Sequence, residues 1–177
     1  VIHHVPTIGA LVLAAGCAST RNEAATHQHA PSGAGYGIEA EFGVQRVRAA
    51  TAAFVSLDSA VAAGYAPTVA RCIAHPEHGA MGFHHVNRAL MDAQLEVERP
   101  EILVYERLAD GGYVLNGVEY IVPYSRWSRD SAPPTVLGQH LKRADELQLW
   151  YLHMWVWREN PAGLFADWNP AVHCPTG

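Results

Sequence analysis

The stretch Tyr113 to Val122 is apolar on both of its alternating faces yet carries a carboxylate, and few places in a fold tolerate that combination. At a period of two, Leu115 and Ile121 share a face with Glu119, while Val114, Val118, Tyr120 and Val122 occupy the other. A strand with no wet face belongs inside a sheet that is covered on both sides. Trp150 to Trp157 repeats the pattern, with His153 beside Tyr151, Trp155 and Trp157 and with Leu152, Met154 and Val156 opposite. A buried carboxylate is costly unless it is paired, protonated or bound to a cation. Glu119 therefore needs a partner, and His153 is one.

A third ionisable group comes from Met81 to Val86, a glycine-flanked strand in which His84 and His85 fall on opposite faces. With His84 turned to the Glu119 side, His84, Glu119 and His153 form a two-histidine, one-carboxylate set. That is the ligand inventory of one divalent transition-metal ion: non-haem iron, zinc with an open position, or copper. The separations, 35 residues from His84 to Glu119 and 34 from Glu119 to His153, form no local motif, so the reading rests on the three strands coming together. His75, His78 and His85 are further candidate ligands. The competing reading makes the histidines ordinary core residues and pairs Glu119 with Arg107, Arg126 or Lys142. Metal-free acid–base hydrolysis by Glu119 or Glu106 with His84 lacks an identifiable nucleophile.

Upstream the period is helical. Val44, Val47, Phe54, Leu57, Val61 and Tyr65 recur at steps of three and four, which predicts one amphipathic helix from Ile38 closed by Gly64. Beyond it the chain predicts strands at Met81–Val86, Glu101–Leu108, Tyr113–Val122 and Trp150–Trp157, with a hairpin connection at Ala109-Asp110-Gly111-Gly112. Pro123 to Gly138 reads as a loop and His140 to Leu147 as a short helical turn. The expected fold is α+β: one long N-terminal amphipathic helix packed on a mainly antiparallel sheet, in a single domain over residues 38–177.

Residues 1–16 hold an apolar run too short to span a bilayer, preceded by His3 and His4 rather than Lys or Arg. They read as a signal peptide. Leu13-Ala14-Ala15-Gly16-Cys17 resembles the bacterial lipobox, which implies lipidation of Cys17, a tether over residues 17–37 and an exported protein held at the membrane, periplasmic or at the cell surface. A plain cleaved signal, or a strand that ends in cysteine, is the alternative. With Cys17 acylated, Cys72 and Cys174 remain as an even pair in an oxidising compartment, where a disulfide is expected. Free thiols, or a Cys/His metal cluster with His75, His78 and His173, are the other readings. The chain has 17 acidic against 12 basic residues and no basic patch, which argues against a nucleic-acid partner.

Gly33-Ala34-Gly35-Tyr36-Gly37 follows no strand and completes no nucleotide-binding fingerprint. Trp155, Trp157 and Trp168 are three of five tryptophans and define an alternative, metal-free function: a scaffold or small-molecule-binding lipoprotein with an aromatic contact surface. The segments Gly79-Ala80-Met81-Gly82-Phe83-His84 with Val86-Asn87, Gly117-Val118-Glu119-Tyr120, His153-Met154-Trp155-Val156-Trp157 and Asn160 to Pro170 together resemble a bacterial exported domain family with no assigned function. The resemblance covers roughly residues 45–174. It implies a domain boundary and no activity. The expectation is an exported metal-binding domain with His84, Glu119 and His153 as ligands.

Overall fold

A computed structural model describes Val1 and residues 35–67 and 71–175. The expected signal peptide beyond Val1, the expected lipidation site Cys17 and most of the expected tether lie outside the described residues.

The expected single helix is divided. Helix α1 runs Ile38–Thr51, a 3-10 turn continues over Ala52–Val55, and α2 covers Leu57–Ala62. Ser56 makes the break: its backbone is extended, and its hydroxyl accepts the Ser59 amide at 3.3 Å as an N-cap. Gly64 ends α2 as the spacing predicts, at φ +97°, where the Tyr65 amide reaches back to the Ala60 carbonyl at 3.0 Å. The buried stripe of α1 is small, Ala40, Gly43, Val47 and Thr51, so the helix approaches its neighbours closely. Val61, expected inside, is 50% exposed because the break rotates α2 relative to the α1 stripe.

The strands are β1 (Ala66–Pro67), β2 (Ile73–His75), β3 (Gly79–Val86), β4 (Ile102–Arg107), β5 (Tyr113–Pro123), β6 (Thr135–Val136), β7 (Gln139–His140), β8 (Lys142–Ala144) and β9 (Leu149–Met154). The main sheet has the order β1-β3-β4-β5-β9-β8, with β2 also on β3, and every pairing is antiparallel. The fold is thus α+β on a mainly antiparallel sheet. Gly111, at φ +88°, turns the β4–β5 hairpin where the glycine pair predicts it. Two segments depart from expectation. The loop after Pro123 contains the β6–β7 ribbon, and the helical turn expected at His140–Leu147 is instead the end of β7, then β8, then a 3-10 turn over Asp145–Leu147.

A β-bulge rearranges the faces of β5. Val104 pairs with Gly117 and Tyr105 with Leu115, so Asn116 opposes nothing and alternation reverses there. Its carbonyl instead accepts the amides of Trp157 and Arg158, both at 2.9 Å. Leu115, expected beside Glu119, therefore joins Val118, Tyr120 and Val122 on the core side, with Leu103, Tyr105, Trp150, Leu152 and Met154. On the opposite face Val86, Ile102, Val104 and Ile121 form a second apolar cluster, bordered by Met91, Leu149 and Tyr151. This face carries the site.

Strand β9 stops at Met154, three residues earlier than expected, because Trp155 leaves the sheet to pair its amide with the Leu164 carbonyl at 2.9 Å. The chain then wraps as a strap that ends at the expected disulfide, Cys72–Cys174, with Cα atoms 5.5 Å apart. The bond spans 102 residues, a loop whose closure contributes about 4.7 kcal/mol in the chain-entropy treatment.

Candidate metal centre

Three strands deliver the three expected side chains to one place. Glu119 on β5 pairs in register with His153 on β9, and His84 on β3 pairs with Val104 on the intervening β4. Three strand spacings of about 4.8 Å separate β3 from β9. The rings of His84 and His153 nevertheless lie 5.6 Å apart, centroid to centroid, so they converge across β4 and β5. Gly117 helps: a Cβ there would stand 2.5 Å from the Met154 carbonyl oxygen, so only glycine lets β5 and β9 approach this closely beside the site.

His84 Nε2 lies 3.5 Å from Glu119 Oε2, and His153 Nδ1 lies 3.7 Å from Glu119 Oε1. One donor atom from each residue lies within 4.8 Å of the other two. Two ligands of a tetrahedral ion at bond lengths near 2.1 Å stand about 3.4 Å apart. Each imidazole stands at about that spacing from one oxygen of the carboxylate, His84 from Oε2 and His153 from Oε1. Among the described residues, no fourth histidine, cysteine or acid joins the group.

The side chains of His84, Glu119 and His153 are only 12%, 10% and 2% exposed, too little for water to support charge on them. Burial pushes the His84 imidazole down to about 4 and His153 well below its ordinary value, and it pushes the Glu119 carboxyl up to about 8. Without a cation the trio is neutral: two unprotonated imidazoles, the form that ligates metal, and one protonated acid. Both nitrogens of His153 and Nδ1 of His84 are buried without a hydrogen-bond partner. Such orphaned groups each cost about 1–3 kcal/mol unless something occupies them. Trp155 stacks on His153 at 6.0 Å and 15°, closing one wall, and the Val86, Ile102, Val104 and Ile121 cluster borders the rest.

The remaining candidates go elsewhere. His85 faces the core side, its ring 5.1 Å from that of Tyr105. His75, the last residue of β2, and His78 in the turn after it stack on each other with ring centroids 4.3 Å apart. His75 Nδ1 accepts the Glu77 amide at 3.1 Å, which puts the proton of the neutral ring on Nε2 and makes that nitrogen a donor rather than a ligand. Glu106 pairs with Arg158 at 2.8 Å, away from His84. Lys142, considered as a partner for Glu119, binds Asp167 at 2.5 Å instead. The three tryptophans separate: Trp155 lies on His153, Trp157 donates to the Thr51 hydroxyl at 3.0 Å, and Trp168 sits by His75 with ring centroids 5.4 Å apart.

Sequence reasoning missed two groups. Asp167 accepts from Lys142 and from the Tyr151 hydroxyl at 3.3 Å, placing a polar trio beside His153 on the site-bearing face. Glu101, immediately before β4, is a second buried acid, pushed up to about 8 by burial and accepting the Ile121 amide at 3.0 Å. Its signal is visible in the sequence, an acid leading directly into Ile102-Leu103-Val104-Tyr105. No protein-family model, curated protein or solved structure matches this chain.

Proposed function

We propose that this domain binds one divalent transition-metal ion, iron, copper or zinc, through His84, Glu119 and His153. One observation carries the reading: three donors from three strands converge within 4.8 Å beside an apolar cluster, and neither nitrogen of the buried His153 has a hydrogen-bond partner. A bound ion would supply Lewis acidity or redox chemistry. The chain's own part is to hold two imidazoles unprotonated, to give up the Glu119 proton as the ion enters, and to limit water with Trp155 and the aliphatic wall. Three protein donors leave a coordination position for water or a small molecule, which favours chemistry or ligand exchange over a purely structural ion.

Export and lipid anchoring through Cys17 belong to the same proposal, supported by the apolar leader, the Leu13-to-Cys17 motif and the Cys72–Cys174 disulfide. The rival reading, a tryptophan-rich contact surface, has less support because Trp155, Trp157 and Trp168 pack at three separate places. Zinc titration in an isothermal calorimeter tests the metal reading. The expected result is one ion per chain, with about one proton released near pH 7, read from the buffer dependence of the heat. Absence of saturable binding contradicts it.

A further inference from the structure

We propose that the Cys72–Cys174 disulfide regulates the metal centre: it holds the C-terminal strap against the two strands that carry His84 and His153, and its reduction by a dithiol loosens the ion. The proposal rests on the metal reading above and concerns control of that same site.

The two histidines sit on strands that do not pair. β4 and β5 separate β3 from β9, so the distance between the rings is set by the ladder through those two strands together with whatever ties the ends of β3 and β9 to each other. The strap does this. At β3, the Ala80 amide donates to the Asn169 carbonyl at 3.2 Å and the Asn169 amide to the Ala80 carbonyl at 3.1 Å, four residues from His84. A side chain at Gly79 would collide with the Asn169 carbonyl, so the strap lies directly on the strand. At the end of β9, Trp155 gives its amide to Leu164 and its indole N–H to the Ala166 carbonyl at 2.6 Å, while its ring covers His153.

Between these attachments, Ala80, Trp155 and Val172 form one apolar cluster, and Cys72 and Cys174 pack against it. Val172 is fully buried. The disulfide thus closes the strap onto the residues that position both histidines. Polar ties hold the strap elsewhere: Arg158 to the Ala171 carbonyl at 2.6 Å, Asn160 to Trp168 at 3.0 Å, and Lys142 to Phe165 at 3.1 Å. Opening the disulfide therefore removes the covalent tie at Cys174 and leaves the Val172 end held by these bonds and its own packing.

Cys174 borders an open cleft of about 310 Å³ shared with His75, Pro76, Pro170 and His173, which admits a small reductant. In the exchange, a thiolate of the dithiol attacks one sulfur and breaks the Cys72–Cys174 bond, giving a mixed disulfide and one cysteine thiolate. The second thiol of the reductant then displaces the other cysteine. Two electrons pass to the protein, whose cysteines take up two protons, and the dithiol leaves as its cyclic disulfide.

The test measures zinc affinity by competition with a chromophoric chelator. It compares the oxidised protein, the protein reduced by a phosphine that is then removed under anaerobic conditions, the Cys72→Ala/Cys174→Ala variant, and Val172→Ala with its disulfide intact. Tryptophan fluorescence and near-ultraviolet circular dichroism report folding. The expected result is affinity at least tenfold lower in the reduced protein and the double variant, with a smaller drop, about threefold, in Val172→Ala. Should the double variant fail to fold, the reduced protein and Val172→Ala decide. Equal zinc affinity in the oxidised, reduced and Val172→Ala proteins overturns the regulation and leaves the metal reading standing. No zinc binding by the oxidised protein overturns both.

Discussion

Glu119 and His153 face each other across β5 and β9 as a register pair, with Oε1 and Nδ1 3.7 Å apart. At that distance, and with so little exposure, neither is stable as an isolated ion. The pair is held as a protonated acid beside an unprotonated imidazole. Exchanging the acid's proton for a cation turns a costly arrangement into a ligand set, with consequences for stability and for its pH dependence.

Replacing Glu119 with leucine separates stability from binding. The carboxyl is buried against two unprotonated imidazoles at 3.5 and 3.7 Å, so Glu119→Leu is expected to raise the stability of the metal-free domain by about 1–3 kcal/mol while abolishing the site. Urea unfolding of the metal-free protein, beside a zinc titration, checks both halves. A variant that is less stable and still binds zinc contradicts the account.

The pH dependence of metal-free stability has a defined sign. Glu119 and Glu101 keep their protons up to about 8 in the folded chain, against an ordinary 4.5, so the folded state binds more protons than the unfolded one across that interval. Stability therefore falls as pH rises through it. His84, held down to about 4 from 6.5, and His153, also held down, work the other way, with stability falling as pH drops below 6.5. Between pH 6.5 and 8 only the carboxyl groups act among these four. The melting temperature of metal-free protein is expected to fall over that interval, and Glu119→Gln to remove about half of the fall. A flat or rising profile counts against burial as the cause.

Gly117→Ala tests the close approach of β5 and β9. The added methyl would stand 2.5 Å from the Met154 carbonyl oxygen and 3.2 Å from Trp155 Cα, so the strands must part beside His153. A loss of about 2–4 kcal/mol is expected, together with weaker zinc binding. Unchanged unfolding curves would show that the two strands are not packed this tightly.

Glu119 and His153 were legible because each interrupts a strand that is otherwise apolar on both faces, whereas the period of two put His84 and His85 on opposite faces without choosing between them, and the order β3-β4-β5-β9 that brings His84 to the other two is tertiary. The face of Leu115 was not legible, since alternation cannot register an unpaired residue. The bulge at Asn116 reversed it, although Asn116-Gly117, two poor strand formers within a valine-rich run, is the trace it leaves. The break at Ser56 was hidden in the same way, because a serine that caps α2 also fits a helix surface. Asp167 lay beyond reach for a different reason. Its position depends on the strap folding back over β9, a tertiary event to which no local pattern in Asn160 to Pro170 corresponds.

The most direct test of the central claim is elemental analysis of the disulfide-intact domain, purified without a histidine tag from an oxidising compartment and analysed beside His84→Ala and His153→Ala. The account predicts close to one equivalent of iron, copper or zinc in the parent and loss of most of it in both variants. A parent free of metal even after incubation with each ion, or variants that retain the full amount, would contradict it.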